Sequence, residues 1–122
     1  MSDVKVPYVR LGQSGLRISK VVLGCMSYGT PGWQDWVLDE EASLPHIKRA
    51  YDLGLRTLDT ADVYSYGLSE VIVGKAIRKY ELPRENLVIM TKLFNPVPNT
   101  TGEKYTNRTE FEAAGCVPLL SE

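Results

Sequence analysis

Apolar and polar residues alternate along Tyr8-Val9-Arg10-Leu11 and again along Leu16-Arg17-Ile18-Ser19, the period of a half-buried strand. Gly12-Gln13-Ser14-Gly15 lies between them, with glycine where a tight turn needs unusual dihedrals. The pattern predicts a short antiparallel hairpin. Val21-Val22-Leu23 is a continuous apolar run ending in Gly24, which predicts a strand buried on both faces. Residues 26–38 break the periodicity with Gly29, Pro31 and Gly32 and carry Trp33 and Trp36 in an exposed loop. Asp39, Glu40 and Glu41 then supply the negative charge that suits a helix start, and Leu44, Ile47 and Tyr51 recur at helical spacing up to a stop at Gly54. Because proline fits only a first turn, Pro45 moves the expected start of that helix to about Ser43.

Arg56-Thr57-Leu58-Asp59 predicts the next strand. Gly67-Leu68-Ser69-Glu70 predicts a turn, a capping serine and a first-turn acid. Val73, Ile77 and Tyr80 line one face of the following helix, which Gly74 weakens and Pro83 ends, and Leu87-Val88-Ile89-Met90 is a further apolar strand. Strands alternating with amphipathic helices predict a parallel sheet with right-handed crossovers. From Asn95 onward the periodicity fades among Pro96, Pro98, Asn99, Gly102 and Asn107, which reads as loop, with one helical turn at most over residues 110–114. Residues 1–95 therefore form the structured part, and residues 96–122 a loop and divergent tail.

Composition narrows the function classes more than it selects one. The 122 residues suffice for one domain, and 43% hydrophobic with 24% charged content reads as a soluble globular chain. A formal net charge of -1 gives no reason to expect nucleic acid or an anionic membrane as a partner. No apolar stretch resembles a signal peptide or a membrane span, so a cytoplasmic location is expected. Cys25 and Cys116 are far apart, and His46 alone could add a nitrogen ligand, so no metal-type spacing arises.

The chemistry concentrates at strand ends. Leu58-Asp59-Thr60-Ala61-Asp62-Val63-Tyr64 and Thr91-Lys92 bring an acid, a phenol and an ammonium group to that level. A phenol is a poor acid near neutral pH; an ammonium beside it eases its ionisation, and a carboxylate keeps that ammonium charged and in place. Such a set can donate a proton to a carbonyl oxygen. Taken singly, each residue has a plainer reading. Asp59 could cap a loop, Tyr64 could pack, and Lys92 could be an ordinary strand-end lysine. Asp62 reads as a solvated loop acid, Cys25 as a buried small side chain, and His46 as a helix-surface or packing residue. Trp33 and Trp36 could flank a substrate or pack over the sheet.

Together with Leu11-Gly12-Gln13-Ser14-Gly15-Leu16, Leu23-Gly24-Cys25-Met26 and Tyr66-Gly67-Leu68-Ser69-Glu70, these motifs resemble the aldo-keto reductases from about Val6 to Phe94. The tryptophan-bearing segment from Gly32 to Glu41 resembles the fungal members in particular. The resemblance implies an α/β fold: an N-terminal hairpin plus about three strand-helix units of an incomplete (β/α)8 TIM barrel. It implies NADPH-dependent reduction of aldehydes or ketones without a metal. Tyr64 corresponds to the proton donor, Lys92 to the group that lowers its pKa, and Asp59 to the acid that pairs with the lysine near the nicotinamide ribose. Gly24, Cys25 and Met26 correspond to a loop approaching NADP(H). The implied partner is a small-molecule carbonyl substrate.

The family's catalytic histidine belongs to a later strand than any this chain supplies, and His46 falls in the first helix instead. The loops for the cofactor's phosphates and adenine also come later, and no G-x-G-x-x-G loop replaces them. A barrel of this type takes about 250 residues. The expectation is therefore a truncated reductase with little or no activity alone, with open strand edges prone to self-association. A non-catalytic regulatory protein of the same fold, like the channel auxiliary subunits this family also resembles, is the alternative.

Overall fold

The computed structural model describes residues 5–94 and 97. The tail expected over residues 96–122, with its helical turn and Cys116, lies outside the described residues except for Val97.

Strands β1 (Tyr8–Arg10) and β2 (Arg17–Ser19) pair antiparallel, with Tyr8 opposite Ser19 and Arg10 opposite Arg17. The turn closes through the Leu11 amide on the Leu16 carbonyl at 2.9 Å, and Gly12 and Gly15 both take positive φ there. This hairpin forms its own two-stranded sheet. The main sheet holds β3 (Leu23–Gly24), β4 (Thr57–Asp59) and β5 (Val88–Met90) in the parallel order β3-β4-β5.

Ser19 joins the two sheets. It is fully buried, and its Oγ accepts the Arg56 and Thr57 amides at 3.2 and 3.1 Å while donating to the Val21 carbonyl at 2.7 Å. The Tyr8 hydroxyl donates to the Gly54 carbonyl at 3.0 Å. The hairpin is thereby fixed at the end where β4 begins. Side chains at the opposite end are left clear of it.

Helices α1 (Glu40–Asp52) and α2 (Leu68–Lys79) connect the strands and pack on one face of the sheet. Leu44 and Ile47 from α1, Ile72, Val73 and Ala76 from α2, and Leu58 from β4 make the core, with Cys25, Tyr28, Leu82 and Leu87 around them. The architecture is that of an open parallel α/β fragment: the expected hairpin, two strand-helix units and the strand of a third, β5.

Three local expectations are corrected. Val21 and Val22 lie outside β3 and are 52% and 38% exposed, because β3 pairs with β4 alone among the described residues. Helix α1 starts at Glu40 instead of near Ser43, since the Asp39 carboxylate caps it by accepting the Ala42 amide at 2.9 Å. Pro45 is carried inside that helix on its solvent side, where the Glu41 carbonyl that loses its partner is also exposed. Ser69 does not cap α2: Gly67 stands at the cap with φ 90°, and the Ser69 side chain turns inward. No helix among the described residues is long and apolar enough to cross a membrane.

Candidate active site

Parallel register brings the charged residues together. Asp59 ends β4 opposite Met90 of β5, so two further residues carry Lys92 past the sheet edge beside Asp59. The pairing continues above the strands, with the Thr60 amide on the Met90 carbonyl at 2.9 Å and the Asp62 amide on the Lys92 carbonyl at 3.2 Å. Lys92 Nζ then donates to both Asp59 oxygens at 2.8 Å and to the Thr60 carbonyl at 2.7 Å. An ammonium has three protons, and here each has an acceptor.

The hydrogen bond to Asp59 raises the Lys92 pKa most; burial opposes it, and Tyr64 adds a smaller upward contribution. Lys92 Nζ lies 5.1 Å from the centre of the Tyr64 ring. Because the lysine and aspartate side chains remain 48% and 31% exposed, the pair is worth little as a stability device. Its value is positional: it fixes a charge beside a phenol.

Tyr64 is placed by an unusual turn. The 3-10 segment Tyr64–Gly67 contains Ser65 and Tyr66 in succession at φ 51° and 57°, left-handed conformations that cost non-glycine residues about 1–2 kcal/mol each. Ser65 is fully buried and its Oγ accepts the Thr30 amide at 3.2 Å. That anchor rests against Gly29, where any Cβ would come within 2.0 Å of Ser65 Oγ. The sequence carried no signal for this contact beyond the glycine itself. On its aromatic side Tyr64 meets Trp33 at 6.0 Å between ring centres, and Trp33 meets Trp36 at 6.1 Å. Trp33 is thus half-buried against the phenol rather than exposed like Trp36.

Ala61, Asp62, Val63, Tyr64, Lys92 and Phe94 line an open cavity of about 220 Å³. Asp62 is not the solvated acid expected from sequence: its Oδ2 is buried, without a hydrogen-bond partner among the described residues. Gly24 and Met26 lie open above β3, and nothing stands within 4 Å of where a Gly24 Cβ would be. Cys25 between them is closed. Its thiol is fully buried, its amide donates to the Asp59 carbonyl at 2.8 Å, and its carbonyl accepts from Ser69 Oγ at 2.7 Å. His46 is exposed on α1, edge-on to Tyr28 at 6.1 Å. Among the described residues no three His, Cys, Asp or Glu side chains gather as a metal site.

Burial first, then the Asp59 charge, pushes the Cys25 thiol up from 9.0 to about 12. Below pH 9.0 both folded and unfolded thiols keep their proton. Between 9.0 and about 12 the unfolded chain releases it and the folded chain does not, so stability falls as pH rises through that window. Cys25→Ala is expected to flatten this alkaline decline, checked by urea midpoints measured on either side of pH 9.0. An equal decline in both chains would contradict it.

Residues 20–114 match the model of the Aldo/keto reductase family. The versiconal hemiacetal acetate reductase of Aspergillus parasiticus is 55% identical over 113 residues, covering 83% of this chain and 33% of that protein. An aldo-keto reductase of Metarhizium robertsii is 53% identical over 94 residues, covering 77% of this chain and 25% of its own length. The chain thus spans about a third or less of the curated relatives it matches. Among solved structures, the holo form of an aldo-keto reductase from Bacillus halodurans superposes with a TM-score of 0.64 at 33% identity, over 81% of this chain and 29% of that one. A family match across most of its length, reached independently through sequence and fold, means that this chain belongs to the aldo-keto reductase family.

Proposed function

We propose that the chain carries the proton-donating part of an NADPH-dependent carbonyl reductase site, with Tyr64 as donor, Lys92 as its charged neighbour and Asp59 as the lysine's anchor. The observation that supports it best is the ammonium of Lys92, held at 2.8 Å by both Asp59 oxygens and 5.1 Å from the Tyr64 ring. Relatives named as reductases, and others named as putative aryl-alcohol dehydrogenases, support hydride exchange between a carbonyl and an alcohol.

The residues at hand fit a nicotinamide cofactor. Gly24 leaves open space above the end of β3, Met26 offers an exposed apolar side chain, and the Asp59 carboxylate lies one strand over. Gly24, Met26 and Asp59 would hold the nicotinamide end, with Cys25 anchoring the loop from beneath through its backbone. NADPH supplies the hydride when bound. The substrate is a small aldehyde or ketone whose oxygen accepts the Tyr64 proton in the cavity shared with Lys92. As negative charge grows on that oxygen, Tyr64 gives up its proton, and the Lys92 ammonium stabilises the phenolate left behind. Asp59 and the Thr60 carbonyl keep the ammonium protonated and stationary through the step.

Thermal unfolding followed by circular dichroism, with and without excess NADPH, tests the reading on this chain. A ligand that binds only the folded state at about 100 times its Kd stabilises it by about 2.7 kcal/mol. A cooperative transition that moves upward with NADPH is the expected result. A melt insensitive to NADPH would reject the cofactor site.

A further inference from the structure

The first turn of α2 hydrogen-bonds the neighbours of both charged residues. Asp59 is followed by Thr60, and Lys92 is preceded by Thr91. Thr60 Oγ1 lies 2.8 Å from Ser69 Oγ, and Thr91 Oγ1 donates to Glu70 Oε1. Two consecutive residues of one helical turn therefore reach one threonine on each side of the ion pair.

The direction of the buried bonds follows from proton counting. Ser69 has one hydroxyl proton, and a carbonyl can only accept, so the 2.7 Å contact to the Cys25 carbonyl uses that proton. Thr60 must then donate to Ser69. The Cys25 amide returns to the Asp59 carbonyl at 2.8 Å, which closes a ring through Asp59, Thr60, Ser69 and Cys25. Thr60 is 2% exposed, and Ser69 and Cys25 are fully buried, so water cannot replace a lost partner. The Thr60 carbonyl, on the same residue, receives Lys92 Nζ at 2.7 Å.

We infer that Ser69 and Glu70 are positioning residues of the carbonyl-reducing site, Ser69 holding the Thr60 carbonyl under the Lys92 ammonium and Glu70 holding Thr91 beside it. The catalytic consequence rests on the reductase reading proposed above; the positioning itself does not. Exchange of Ser69 for a residue without a hydroxyl is destabilising, because Thr60 then keeps a buried donor with no acceptor. Glu70 also places negative charge at a helix start, a role any first-turn acid fills. Gln in its place separates the two roles, since it drops the charge and keeps the acceptor for Thr91.

The test is a titration of Lys92 in the full chain, using lysine labelled with 13C at Cε and read by NMR, in the parent and in Ser69→Ala, Glu70→Ala, Glu70→Gln and Asp59→Asn. Asp59 and Tyr64 are the titratable groups whose contacts raise the Lys92 pKa. Asp59→Asn is the control that lowers the Lys92 pKa by removing its carboxylate. Ser69→Ala and Glu70→Ala are expected to lower it in the same direction, while Glu70→Gln leaves it near the parent value. In carbonyl reduction the two Ala variants should lose roughly ten- to hundredfold in kcat with KM for NADPH within about twofold, the pattern of a displaced group rather than a lost binding contact. Should Ser69→Ala fail to fold, the exposed Glu70 pair decides alone. Parent-like titration in both Ala variants, with Asp59→Asn shifted, overturns the inference. An unshifted Asp59→Asn also overturns it, since no pair would exist to be positioned. A chain that reduces no carbonyl on its own leaves the titration to decide the positioning.

Discussion

Tyr64→Phe is expected to slow NADPH-dependent carbonyl reduction by about 10²–10⁴-fold, the usual contribution of a positioned acid, while the melting temperature and its response to NADPH stay close to the parent's. The substitution removes one oxygen and keeps the ring. Apart from the hydroxyl's interaction with the exposed Lys92, the contacts that place Tyr64 belong to the ring and the backbone: Trp33 at 6.0 Å, the Lys92 ammonium at 5.1 Å, and the Tyr64 amide on the Ala61 carbonyl at 3.3 Å. None of them requires the hydroxyl. Loss of rate without loss of stability is thus the signature of a proton donor. Absorbance of NADPH during turnover of a short and an aryl aldehyde gives the rate, and circular dichroism gives the melt. A Phe variant that reduces either aldehyde at the parent rate would remove Tyr64 from the chemistry. A variant that melts well below the parent would make the hydroxyl a structural group instead.

The fold and the site were legible in the sequence to different depths. Element order could be read because period-two and helical patterns succeed one another cleanly from Tyr8 to Met90, with glycine at the turns that need it. Asp59 and Lys92 could be read because a charged residue closing an apolar strand must find a partner, and parallel register then decides which one. Residues with two satisfactory uses could not. A serine near a helix start can cap the backbone or bond inward, and Ser69 does the second because Gly67 already opens the turn. An acid in a loop is solvated by default, yet Asp62 has one oxygen buried. Val21 and Val22 have the composition of a buried strand, but burial requires neighbours, and β3 has one among the described residues. Local pattern cannot report a tertiary partner.

The contact between Gly29 and Ser65 joins segments 36 positions apart, and it predicts the largest effect on stability. Gly29→Ala would set a methyl group 2.0 Å from Ser65 Oγ and 2.1 Å from its Cβ, where carbon contacts settle at about 3.5–4.0 Å. Neither side can yield easily. The Gly29 amide is held by the Leu38 carbonyl at 2.8 Å, and Ser65 is fully buried at φ 51° with its Oγ engaged by the Thr30 amide. Overpacking of this kind costs about 1–3 kcal/mol, and the rigidity of both partners argues for the upper end. That is a fall of roughly 10 °C for a chain of this size. Since Ser65 directly follows Tyr64, any relief of the clash also moves the phenol, so the rate of carbonyl reduction should fall further than the loss of folded protein explains. Ser65→Gly vacates both clashing atoms, and glycine takes φ 51° and ψ 40° without strain. The double variant should therefore regain part of the lost stability, short of about 1 kcal/mol for the hydrogen bond to Thr30 and of the strain an alanine keeps at the Gly29 φ of 159°. Urea unfolding of the parent, both single variants and the double variant measures the coupling directly. Additive losses would mean that the two positions do not press on each other and that the turn presenting Tyr64 is held by something else.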